Sequence, residues 1–281
     1  MKTLNLTIPG FSIACTTWGN PEKPTVLALH GWLDNANSFL PLAPYLEQDF
    51  HLVAVDLPGH GHSSHLPKGC HYHFFDGIFI VIELINALKL EKVHLLGHSM
   101  GACLASLVGG VAPERVQSLS LIEGLGPLSH PAETACQQLR EYADFLNQKS
   151  NNSKGYTHIE SAAFARAFKG YVSLDIAKIL CERSLIEKKD KLYWRHDQRL
   201  LVRSPLRMTE IQILSCLQEI TARTYLILSS NGFAFDGELM KNRIKAVKNL
   251  TVEHLEGGHH IHMEKPEVLG KLLANFIMRT D

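Results

Sequence analysis

Short runs of apolar and β-branched residues at 25–29, 52–55, 93–96, 118–122, 224–229 and 250–254 are separated by stretches long enough to hold a helix. Residues 76–88, 100–111, 236–247 and 266–278 have helical length and periodicity, and the last begins with Pro266, which suits a helix's first turn. Strand–helix alternation predicts an α/β fold: a mostly parallel sheet, since parallel neighbours need a crossover, with helices on both faces. Residues 4–8 and 11–17 flank Pro9-Gly10 and predict an antiparallel hairpin at one edge of that sheet.

One region breaks the alternation. Residues 124–206 hold no strand-like run of comparable strength but three helical patterns, at 131–147, 159–168 and 173–187. They predict a helical cap inserted between two strands, so that 1–123 and 207–281 form the core and 124–206 the cap. The polar stretch 147–155 predicts a loop within the cap. A chain of 281 residues fits one α/β domain carrying such an insert.

The charge balance excludes some partners. With Lys+Arg 28 against Asp+Glu 28, the formal net charge is zero, which removes the long-range field that phosphate backbones and anionic lipid respond to. No apolar run approaches the ~18 residues of a membrane span, and the first residues lack the apolar segment and cleavage site of a signal peptide. A cytoplasmic protein is expected, with a small-molecule substrate, no nucleic acid and no membrane as partner. Cys15, Cys70, Cys103, Cys136, Cys181 and Cys216 are widely spaced without a Cys-x-x-Cys pair, as reduced thiols would be. The Asn151-Asn152-Ser153 sequon is then expected to be idle.

The run 93–96 leads directly into Gly97-His98-Ser99-Met100-Gly101 and then into the helical stretch beginning Ala102-Cys103-Leu104. Gly-x-Ser-x-Gly alone arises by chance in about one chain in ten of this length. Between a strand and a helix it is the context of a nucleophile elbow, in which two glycines permit a sharp turn that exposes the serine hydroxyl. The following helix directs its free N–H groups at developing negative charge. The run 25–29 ends in His30-Gly31-Trp32, where a glycine lets the backbone come close to a substrate. Attack on a carbonyl needs two N–H donors for the oxyanion, and the backbone N–H groups of Trp32 and Met100 are the candidates.

Together with Asp56-Leu57-Pro58-Gly59-His60-Gly61-His62-Ser63 and Gly257-Gly258-His259-x-x-x-x-Glu264-x-Pro266, these motifs resemble the alpha/beta-hydrolase superfamily over nearly the whole chain. Within it, residues 30–39 and Gly124-Leu125-Gly126-Pro127 are most similar to the serine hydrolase-like proteins. The resemblance implies a Ser–His–acid triad with Ser99 as nucleophile. Three histidines, His259, His260 and His262, follow the last strand run, and the family's motif puts the base directly after the glycines, at His259. In most relatives the acid follows the strand corresponding to 224–229 in a Gly-x-x-Asp turn, but here that turn reads Ser229-Ser230-Asn231-Gly232. Asp236 is an alternative acid, although it also stands where a helix cap is expected. Glu123, directly continuing the run 118–122, resembles the arrangement of relatives that carry the acid after the strand following the nucleophile helix. Its position at the carboxyl edge, where such sheets bind ligands, favours it as the triad acid.

The expected function is a serine hydrolase of carboxylesterase type, cleaving a small or medium carboxylic ester through an acyl-enzyme without cofactor or metal. Thioester or carbon–carbon bond hydrolysis on the same scaffold, and a non-catalytic ligand-binding role prompted by Gly232, are the alternatives. His60, His62, His65, His71 and His73 lack the carboxylates and ordered spacing of a catalytic zinc site. Leu33, Asn35 and Phe39 are candidates for an acyl-pocket lining.

Overall fold

The structure, a computed structural model, describes residues 1–148, 155–170, 172–235 and 237–279. The chain runs through β1 (Lys2–Ile8), β2 (Phe11–Trp18), β3 (Thr25–Leu29), β4 (His51–Val55), α1 (Asp76–Ala87), β5 (Val93–His98), α2 (Met100–Val111) and β6 (Val116–Ile122). The predicted insertion follows, with α3 (Ala135–Asn147), α4 (Ile159–Gly170), α5 (Leu174–Ser184) and a hairpin of β7 (Leu185–Lys188) and β8 (Lys191–Trp194). The chain then returns through α6 (Glu210–Gln218), β9 (Arg223–Asn231), α7 (Gly237–Ala246), β10 (Leu250–Gly258), α8 (Ile261–Glu264) and α9 (Pro266–Met278). The Asn151-Asn152-Ser153 sequon lies outside the described residues.

Eight strands form one sheet in the order β1-β2-β4-β3-β5-β6-β9-β10. The β1–β2 hairpin is antiparallel, as is β2 with β4, and every other pair is parallel. The central strands are nearly continuous in apolar residues because both faces are covered. Leu27, Leu29, Leu95, Leu119 and Leu121 point into a core shared with α1, α2 and α6, whereas Val26, Ala28, Leu96 and Ile122 point to one shared with α9 and the Phe39–Leu46 segment. Among the described residues, no helix is long and apolar enough to cross a membrane.

Two elements depart from the sequence expectation. The helix expected over 173–187 stops at Ser184, and the chain turns into the β7–β8 hairpin inside a region expected to lack strands. Its two-residue turn is Lys189-Asp190, with both residues at positive φ, 50° and 60°. Such turns are usually signalled by Asn-Gly or Asp-Gly, and this one carries neither. Helix α6, not foreseen, begins with a capping box between Thr209 and Gln212 and packs on α2 so closely that a Cβ at Gly110 would meet the Cys216 carbonyl at 2.0 Å.

Residues 124–206 meet the rest of the chain through apolar packing of Ile176 and Leu180 on Met263 and through buried polar contacts. Asn35 donates to the Leu180 carbonyl (2.9 Å) and to Ser184 Oγ (2.8 Å), and Asn37 donates to the Ile179 carbonyl (3.1 Å). Asp56, fully buried, accepts the N–H groups of Ala36 and His62 and the Nε of Arg183. Asn35 and Phe39 are therefore structural rather than pocket-lining, since both are fully buried, Phe39 in the core beneath the sheet. Removing one partner of a buried ion pair leaves the other charge stranded, at a cost of about 3–5 kcal/mol. Arg183→Met is expected to lower unfolding stability by about that amount in urea titrations. A loss below about 1 kcal/mol would show that Asp56 does not depend on the insertion for its charge.

Candidate active site

Strand β5 ends at His98, and the next residue, Ser99, stands at φ 51°, ψ −114°, a conformation that side chains rarely adopt and that turns the chain directly into α2. The neighbouring glycines leave no choice of residue. A Cβ at Gly101 would lie 2.0 Å from the Leu29 carbonyl oxygen, and one at Gly97 would lie 2.5 Å from the backbone of Ala102. The Ser99 N–H is tied to the Ile122 carbonyl at 2.8 Å, so the turn is braced by the neighbouring strand.

Ser99 Oγ lies 3.0 Å from His259 Nε2, and His259 Nδ1 lies 3.0 Å from Glu123 Oε2. In this chain of bonds the Nδ1–H donates to the carboxylate, and Nε2 is left to accept from the serine hydroxyl. Glu123 also stands at positive φ, 57°, with its N–H donating to the Ile227 carbonyl (2.9 Å). Its carboxylate accepts the N–H of Ser229 at 2.5 Å and that of Phe233 at 2.8 Å. Burial by itself would raise the carboxyl's pKa, but the bond from His259 and the two backbone N–H groups outweigh it and hold it below its ordinary value.

The glycine at 232 is explained by the same carboxylate. A Cβ at Gly232 would fall 2.0 Å from Glu123 Oε2, so any side chain there collides with the acid already in place. The sequence carried the Gly232 signal but not its cause, which is a contact across 109 positions. The role of the Ser229 and Phe233 N–H groups had no sequence signature, because backbone donors are independent of residue type. Phe233 also faces His259, its ring centroid 5.9 Å away, and stays half-exposed beside it. The alternative acid, Asp236, lies outside the described residues.

The two candidate oxyanion donors lie on the segments flanking this chain. Met100 is the first residue of α2, where an N–H has no intrahelical partner, and the Trp32 N–H has no acceptor among the described residues. The Trp32 indole is half-exposed and donates to the Leu200 carbonyl (2.8 Å), tying this loop to the insertion.

Behind His259 lies a buried cluster that the sequence reading did not anticipate. His98 Nε2–H donates to the His259 carbonyl (2.8 Å), which assigns its proton, and His98 Nδ1 lies 3.6 Å from Asp34 Oδ2. His260 Nε2 donates to the same oxygen at 3.1 Å, and Arg166 of α4 pairs with Asp34 Oδ1. His262 bonds Ser38 Oγ at 2.8 Å. Burial pushes His98 down to about 4 and His262 well below its ordinary value, so both are neutral. Burial opposes ionisation of Asp34, but His260 and Arg166 hold its carboxyl well below the usual range.

Among the described residues, Asp34, His98 and His260 are the group whose ligand atoms, all within 4.8 Å of one another, could hold a metal ion. The Arg166 guanidinium on the same carboxylate already supplies the positive charge a cation would bring. The histidines at 60–73 scatter instead. His60 packs in the core against His30, His65 lies 3.5 Å from Asp197, His71 bonds Tyr142, and His73 stacks near Phe75.

Comparison with known proteins agrees with this architecture. Residues 24–266 match the alpha/beta hydrolase fold family. The chain is 32% identical to a serine hydrolase-like protein of Dictyostelium discoideum, over 95% of this chain and 79% of that one. A hypothetical protein from Pseudomonas aeruginosa PAO1 has a crystal structure that superposes with a TM-score of 0.92 at 33% identity, covering 99% of this chain and all of that one. The thioesterase domain from the curacin biosynthetic pathway superposes at TM-score 0.87 and 27% identity, covering 98% and 99%. The chain belongs to the alpha/beta-hydrolase family and is similar, within it, to the serine hydrolase-like proteins.

Proposed function

We propose that the protein is a serine hydrolase that cleaves a small or medium carboxylic ester through an acyl-enzyme on Ser99. The observation that carries this reading is the continuous bonding from Ser99 through His259 to a Glu123 carboxylate fixed by two backbone N–H groups. His259 Nε2 takes the hydroxyl proton as Ser99 Oγ attacks the acyl carbon. Glu123 keeps the ring's orientation and stabilises the imidazolium that forms. The N–H groups of Trp32 and Met100 receive the oxyanion. Collapse of the tetrahedral intermediate breaks the bond to the leaving group, to which His259 returns the proton. Water, deprotonated by the same nitrogen, then releases the acid and regenerates Ser99. The insertion acts as the cap over this site, and the half-exposed Phe233 supplies an apolar wall for the acyl or alcohol portion.

Thioester cleavage is a second reading, favoured by the likeness to a thioesterase domain over 98% of this chain. The chemistry at Ser99 would be the same, and only the leaving group differs. Gly232 gives little support to a non-catalytic role, because Glu123 stands in the space an acid there would need.

A fluorophosphonate probe is expected to label the wild-type protein and not Ser99→Ala, and no labelling between pH 6 and 9 would sink the enzyme reading. A panel pairing aryl esters with thioesters of the same acyl group separates the two leaving groups. Glu123→Gln is expected to lower turnover by about 10³- to 10⁴-fold, because the histidine loses its tautomer and orientation. Gly232→Asp alone should be inactive. With Glu123→Gly in the same chain, turnover should exceed that of Glu123→Gly alone by at least about tenfold, as a carboxylate then re-enters the vacated space. Equal rates would show that an acid cannot serve from 232.

A further inference from the structure

Asp34 holds three elements together from beneath the candidate site. Its carboxylate receives Arg166 from α4 on one oxygen and His260 on the other, where His98 also faces it. His98 in turn carries the backbone of His259 on its Nε2–H. Residues 259 and 260 are therefore held at adjacent positions, one by its carbonyl and one by its ring; the His260 ring is bonded to Asp34, whereas His98 meets that carboxylate by close contact alone, its Nδ1 lying 3.6 Å from Oδ2 without a hydrogen bond. The same carboxylate abuts the loop bearing the Trp32 N–H. The Asp34 N–H donates to the Gly31 carbonyl (3.1 Å), and a Cβ at Gly31 would lie 2.9 Å from His98 Nδ1 and 3.0 Å from Asp34 Oδ2. Arg166 is the contribution of the insertion to this arrangement, and its buried Nε has no partner among the described residues. The guanidinium is thus committed to Asp34 rather than shared among several acceptors.

We propose that Arg166 is a positioning residue for His259, acting through Asp34 and His98, so that the seating of the cap on the core sets both the placement and the charge environment of the general base. What His259 does in catalysis rests on the serine-hydrolase reading, but the coupling itself does not.

The groups facing this assembly come from every element around it. Asp34 meets Arg166, His98 and His260, with His30 and His60 near enough to feel its charge. His259 faces Glu123, His98 and His260 directly, and His262 lies close enough to interact with it. Asp34 is one imidazole ring from His259. With Arg166 in place its charge is compensated, and without it an uncompensated anion favours a proton on the neighbouring base. Asp34→Asn does the reverse, stranding a cation. Removing either partner therefore shifts the protonation of His259 in opposite directions, which loss of a structural brace alone would not do.

The test is the titration of the His259 ring, followed by NMR in protein labelled with ¹⁵N-histidine, with its signals assigned from His259→Gln. Arg166→Met is expected to raise the midpoint by about half a pH unit or more, and Asp34→Asn to lower it by a similar amount, as expected for charges one ring removed at a partly buried site. Arg166→Lys should return the midpoint towards that of the wild type. Shifts of the same sign, or shifts under about 0.2 unit in folded variants, overturn the proposal. If Asp34→Asn does not fold, a rise in Arg166→Met reversed by Arg166→Lys supports the proposal, and its absence overturns it. A wild type that no fluorophosphonate labels would defeat the serine-hydrolase reading while leaving this measurement decisive for the coupling.

Discussion

The close approach of α2 to the end of β3 is the constraint on which the rest of the site depends. The Gly101 backbone presses against the Leu29 carbonyl with no room for a side chain, so the helix must begin at the strand's edge. Ser99, the one residue between the end of β5 and the start of α2, stands at φ 51°. That conformation lifts the hydroxyl out of the sheet and leaves the helix's first N–H groups beside it. Because β3, β5 and β6 are adjacent and parallel, the loops after them converge on this point, and they bring the Trp32 loop and Glu123 to the same edge. Strain at Ser99 is tolerable because the surrounding core strands are buried on both faces and do not yield.

Local patterns made the sheet, the elbow and most helices legible. Residues 100–111 and 266–278 were read with the bounds the structure gives them, since glycine, proline and apolar periodicity act within a few residues. The β7–β8 hairpin and α6 were missed for opposite reasons. The hairpin turns through Lys189-Asp190, residues that bear no turn signature, whereas α6 is short and owes its place to packing on Gly110 of α2. Ser99 and His259 stood out because their motifs are contiguous. Glu123 could be read only as one of two candidates, because what distinguishes it, the N–H groups of Ser229 and Phe233, lies more than 100 residues away.

The acid's position also bears on how such sites change. A carboxylate at 123 reaches His259 from the end of β6, and the turn after β9 closes over it with backbone donors, which requires Gly232. A carboxylate at 232 would occupy that same space. The two solutions exclude each other sterically, so a chain with both acids is strained and a chain with neither leaves the histidine unoriented. Either move needs two coupled substitutions, and Gly232 leaves the space beside His259 to the Glu123 carboxylate.

The same logic explains why so much buried polarity surrounds His259. Asp34 and Asp56 are nearly or fully buried, and each is compensated by an arginine from the insertion, Arg166 and Arg183. Buried pairs of this kind add little net stability, since desolvation offsets most of the attraction, but an acid left without its partner is strongly destabilising. The core therefore discriminates sharply between the seated insertion and a displaced one, in which both carboxylates would need water or protons. Paired charges at fixed depth give a defined register, and the Asp34 pair lies beside His98, which holds the His259 backbone.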